Sequence, residues 1–130
     1  MSPAAKRRAV REKALGEACE ALVRRALGHS TRPWWILKVR RASRAEDHHG
    51  IDVVVQLAEG RVLLQVKRSV RRADEWRREH RYDPRPIAVV QAGEWESVAV
   101  VYGRALGALI LLRERLEAGA SPGSRRGPGR

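Results

Sequence analysis

A chain of 130 residues is the length of one domain, and 43% apolar residues allow a modest core. Its single cysteine, Cys19, excludes an intrachain disulfide and a cysteine-based zinc site. No apolar run reaches membrane-spanning length and no apolar stretch follows the basic start as in a signal peptide, so a cytoplasmic location without membrane association is expected. The net charge of +12 and pI near 11.4 point to a polyanionic partner, DNA or another nucleic acid first, because each phosphate contact releases counterions. An arginine-rich composition that follows genome base content is the bland alternative. Of the 27 basic residues only Lys6, Lys13, Lys38 and Lys67 are lysines, which singles out an amine on the strand that carries Lys67.

In chain order, residues 1–8 read as a flexible basic arm. Ala9 to Leu27 has helical periodicity, with Leu15, Ala18, Cys19, Leu22 and Ala26 on one face and Gly28 as the stop. After Pro33, Trp34 to Val39 reads as a strand that turns one tryptophan to the core. Residues 40–49 form a polar loop, and 50–67 form a hairpin about Ala58-Glu59-Gly60. Ser69 caps a polar helix reaching about Arg81 and containing Trp76. Asp83 to Pro86 breaks it, Ile87 to Gln91 is a buried strand, and the valines of Ser97 to Tyr102 suggest another. A last helix covers 104–117. The tail 119–130 is too polar to bury and is expected to be disordered. The expected organisation is one α/β domain over 9–118, with a mixed central sheet flanked by helices and a C-terminal helix.

The hairpin carries the chemistry. With a loop spanning Ala58 to Arg61, Leu57 faces Val62 and Asp52 faces Lys67. Gln65 then shares that face, while Ile51, Val53, Val55, Leu57, Val62, Leu64 and Val66 make the other, apolar one. A carboxylate beside an amide oxygen, with the Val66 backbone carbonyl between Gln65 and Lys67, is a donor set for Mg²⁺ or Mn²⁺. Lys67 would then serve a phosphoryl transition state.

Asp52, twelve residues, then Gln65-x-Lys67, on a hairpin that follows a helix bearing Gly16-Glu17, resembles the PD-(D/E)xK nuclease superfamily. The Gln-x-Lys variant is similar to Mrr-type restriction endonucleases; archaeal-type Holliday junction resolvases are similar but carry Glu at the position of Gln65. The resemblance covers roughly residues 12 to 91 and implies a restriction-endonuclease-like αβββαβ core. It implies Asp52 as main metal ligand, Gln65 as a weaker one and Lys67 as catalytic lysine. The helix carboxylate of that family sits about three turns ahead of the helix-ending glycine, which points to Glu17, acting through water, with Glu20 as fallback.

Each residue also has an ordinary reading. Asp52 could cap a turn, Gln65 and Lys67 could line a solvated face, and Glu17 could be a surface residue. His48 and His49 lie beside Glu46 and Asp47, where metal ligation, phosphate contact and a solvated loop all stay open. Arg68, Arg71 and Arg72 follow Lys67 and are either a solvated face or a phosphate-gripping one. The expected function is a divalent-metal-dependent endonuclease on DNA, structure-directed or dependent on a partner. The alternatives are a nucleic-acid-binding module of the same fold and a small basic protein that dimerises through its last helix. Oligomeric state stays open, a homodimer being one way to cut both strands of a duplex.

Overall fold

The computed structural model describes residues 1–29 and 31–119. Its elements are α1 (Pro3–Leu27), β1 (Ile36–Arg41), α2 (Arg44–His48), β2 (Val53–Leu57), β3 (Gly60–Lys67), α3 (Val70–Glu79), β4 (Ile87–Gln91) and α4 (Val98–Gly119). The four strands form one mixed sheet in the order β1-β2-β3-β4. β1, β2 and β3 are antiparallel neighbours, and β4 runs parallel to β3 after the α3 crossover. Helices α1 and α4 cover one face of the sheet. Cys19, Val23 and Leu27 of α1 and Val101, Ala105 and Leu109 of α4 pack there on Val53, Val55, Val62 and Leu64. Helix α3 covers the other face, where Ala73 and Trp76 meet Val54, Ile87 and Val89.

Four expectations change. Helix α1 starts at Pro3, not near Ala9, because Ser2 accepts the Ala5 amide at 3.1 Å and proline suits the first helical position. Residues 40–49 are not all loop. Ser43 and Glu46 form a reciprocal capping box that starts α2. The segment Ser97 to Tyr102 is no strand; it opens α4, with the Ser97 hydroxyl accepting the Val100 amide at 3.2 Å. Burial of Val101, Ala105, Leu109 and Leu112 at helical spacing overrides the strand preference of valine. The tail expected to be disordered lies, from residue 120 onward, outside the described residues.

The fourth change is the hairpin register. Leu57 pairs with Gly60 and Val53 with Leu64, so the turn is the two residues Ala58 and Glu59. The glycine is required at 60, where φ is +152°. A shift of two residues preserves which side chains face which layer, because the side-chain period is two. It nevertheless moves Asp52 away from Lys67 and level with Gln65.

Candidate active site at the open end of the hairpin

The ladder departs from regular pairing at Asp52. Its amide donates to the Leu64 carbonyl at 2.9 Å, although Leu64 is already the partner of Val53. Two residues of one strand therefore address one of the other, which is the pattern of a β-bulge. The bulge breaks the alternation of side chains. Ile51 packs in the α3-side core, not beside Val53 and Val55 as expected. Asp52 is 6% exposed and turns toward α1.

The Asp52 carboxylate then closes the ladder that the bulge opened. Its Oδ2 accepts the Val66 amide at 2.7 Å. In β3 the Leu63 amide and the Lys67 carbonyl bond toward β4, so the amide and carbonyl of Val66 both face the β2 side. The Val66 carbonyl is thus directed toward the same edge as Asp52.

Glu20 of α1, half-buried, stands over the same cleft as Asp52, close enough for the two carboxyl groups to feel each other's charge. Two carboxyl groups in that relation must share a proton or a cation. Burial, then the charges of Asp52 and Asp47, push Glu20 up to about 7. Burial also raises Asp52, opposed by the Val66 amide and by the Lys67 charge. Glu20, Asp47 and Asp52 line one cleft of about 490 Å³, together with Lys13, Gly16 and Arg41.

Sequence reasoning preferred Glu17 with Glu20 as fallback; both line the cleft of Asp52, Glu17 at its exposed rim and Glu20 deeper. Glu17 is exposed and reaches Arg41 at 3.7 Å. The expected apolar stripe included Ala18, which is exposed, and omitted Val23 and Leu27, which are buried. Including those two rotates the packed face toward Glu20 and leaves Glu17 at the rim of the cleft. Asp47 was also passed over as a site carboxylate. The Ser43-x-x-Glu46 capping box was the available signal, since it fixes the short helix that presents Asp47. Arg40 then clamps α2 through a bidentate contact to Glu46 at 2.7 and 2.8 Å.

Gln65 does not join the carboxylates on one face. It pairs with Val89, which belongs to the α3-side core, and its Oε1 would lie 3.2 Å from a Cβ on Gly50. Lys67 is half-buried and lines a second hollow with Arg68, Arg72, Val66 and the α1 residues Ala9 and Glu12. Lys13 and Gly16 line both hollows, and a Cβ at Gly16 would meet nothing within 4 Å. Arg71 points away, with Glu75 at 3.8 Å. His48 and His49 are exposed, and the His49 carbonyl accepts Arg85 Nη1 at 2.9 Å.

Among the described residues, no three His, Cys, Asp or Glu side chains draw close enough to hold an ion by themselves. The carboxyl pair does fit a hard cation, because like charges in one cleft call for a positive partner, but waters or substrate oxygens must complete the shell. Also among the described residues, no helix is long and apolar enough to cross a membrane. Comparison of the chain with protein families, with curated proteins and with solved structures returned no match.

Proposed function

We propose that this chain is a divalent-metal-dependent nuclease of restriction-endonuclease-like fold that hydrolyses phosphodiester bonds in DNA. The observation that carries the reading is that Asp52, at the bulged strand end, and Glu20 line one cleft, which shares Lys13 and Gly16 with the hollow of Lys67. The order helix, three antiparallel strands, crossover helix, parallel strand also agrees with the core that the Asp52/Gln65-x-Lys67 pattern implies.

Asp52, Glu20 and the Val66 carbonyl would hold Mg²⁺ or Mn²⁺, which when bound polarises a phosphoryl oxygen and acidifies water. The remaining parts act on the substrate directly. Lys67 places an ammonium beside the scissile phosphate, and Arg68 and Arg72 offset charge on its neighbours. Without the ion Glu20 holds its proton up to about pH 7, so proton and cation compete for the carboxyl pair. The test is nicking of supercoiled plasmid in Mg²⁺ and in Mn²⁺. The expected result is cleavage by the natural chain and none by Asp52→Asn or Lys67→Ala. A natural chain that leaves the plasmid intact in both ions rejects the reading.

One observation favours a second reading, a binding module of the same fold. Gln65 stands on the α3 side, so the pair of carboxylates has lost the third side chain expected beside it. Salt-sensitive duplex binding in EDTA with no cleavage under any divalent ion would select the module.

A further inference from the structure

We propose that the first half of α1, Pro3 to Ala14, is a rigid helical arm that lies in a groove of duplex nucleic acid and grips the phosphates of both walls. The proposal rests on the nucleic-acid reading above and specifies the form of the substrate; it does not require cleavage.

The arm has no role in the core. From Ser2 to Ala14 every residue except Ala5 is exposed, and the buried residues of α1 begin at Cys19. It carries Lys6, Arg7, Arg8, Arg11 and Lys13 against a single acid, Glu12. Cations are the wrong sign for a helix N-terminus, and the first turn has no acidic residue to offset them. A sequence that weakens its own helix in this way is accounted for when the helix meets a polyanion. The Ser2 cap, Pro3 and continuity with the packed half keep it helical nonetheless.

The placement of the charges selects the partner. At 100° per residue, Arg7, Arg8 and Arg11 share one flank, and Lys6 and Lys13 share another about 150° away. Two flanks suit a groove with two phosphate walls; an extended single strand offers one track. A helix about 10–12 Å across fits a major groove about 12 Å wide. The arm has no aromatic residue for stacking on unpaired bases. Val10, 69% exposed, is its one large apolar side chain, too little for a membrane surface. Ala9, Glu12 and Lys13 border the hollow of Lys67, Arg68 and Arg72, so a duplex on the arm passes that lysine.

The experiment uses the full chain with Lys6, Arg7, Arg8 and Arg11 all changed to glutamine, a good helix former. Binding is measured in EDTA against a labelled duplex, the matching single strand and phosphatidylserine vesicles, over a range of NaCl. The natural chain should favour the duplex at least tenfold over the single strand. The glutamine variant should lose that preference, and its slope of log affinity against log salt should flatten by about three to four. A variant with Arg7, Arg8 and Arg11 as lysine should keep the slope. An unchanged slope in the glutamine variant, equal losses on duplex and single strand, or tighter binding to vesicles than to duplex would each overturn the proposal. Cleavage plays no part in this readout, so a chain that never nicks plasmid can still pass. A chain that nicks it, yet binds equally well without the arm charges, fails only here.

Discussion

The Asp52 carboxylate and the Val66 amide, 2.7 Å apart, close a seam in the sheet that two main-chain groups would ordinarily close. Asp52 is therefore structural, and on the proposed reading chemical as well, and the two roles separate by substitution. Asp52→Asn keeps an acceptor for the Val66 amide and should unfold in urea close to the natural chain, while nicking falls by about 10²-fold or more. Asp52→Ala leaves a buried amide unpaired and should cost about 1–3 kcal/mol. Equal stability of the two variants would contradict the seam.

Stability should fall as pH rises across the range in which Glu20 ionises. Its pKa moves from 4.5 to about 7 on folding, so the folded chain holds the proton more tightly than the unfolded one. That contribution is fully present below 4.5 and is lost as pH passes about 7. Asp52 is raised too and acts in the same direction. Thermal melts at about pH 5 and about pH 8 should show a higher midpoint at the lower value, and Glu20→Gln should shrink the difference. Added Mn²⁺ should restore the midpoint at the higher pH in the natural chain but not in Asp52→Asn.

Glu17 and Glu20 should separate cleanly in the plasmid assay. Glu17→Ala removes an exposed pair with Arg41 worth at most about 1 kcal/mol and should leave nicking intact. Glu20→Ala should abolish nicking without loss of fold, since it removes a repulsive neighbour of Asp52. The reverse pattern would return the helix carboxylate to Glu17.

A third acid, Glu96, ties the end of β4 to α4. Its carboxylate takes Arg104 in two contacts at 2.7 and 2.6 Å, the Gly93 amide at 2.6 Å and the Gln91 amide at 3.1 Å. Glu96→Ala should cost about 2–3 kcal/mol in urea titration, because it strands donors on β4 and α4 together. Arg104, then the Gly93 and Gln91 amides, hold its pKa below the ordinary carboxylate range. This contribution is therefore present at neutral pH and lost on acidification, opposite in sign to that of Glu20.

The hairpin shows how far residues alone could lead. Alternation in Val53 to Leu57 and Val62 to Val66 located the strands and their apolar face correctly, since a two-residue error in register leaves facing unchanged. The bulge at Asp52 was not legible, because alternation carries no mark of where a ladder breaks. That one break turned Asp52 toward α1 while Gln65 stayed with α3. The cap at Ser69 was legible and fell where expected, with its hydroxyl accepting the Arg72 amide at 3.2 Å. The helical start of α4 was hidden by Val98, Val100 and Val101, whose local preference yields to the packing of Val101 and Ala105. Trp34 and Trp35 divide in burial as expected, 75% and 9% exposed, but they lie in the turn ahead of β1, which runs from Ile36 to Arg41 and not from Trp34 to Val39.

A copy of this chain that drifted into idleness would still need an oxygen at position 52, or its hairpin would gape. Position 20 is under no such obligation: an ionised acid there only crowds another acid. Anyone sorting working copies from silent ones should read the helix before the strand.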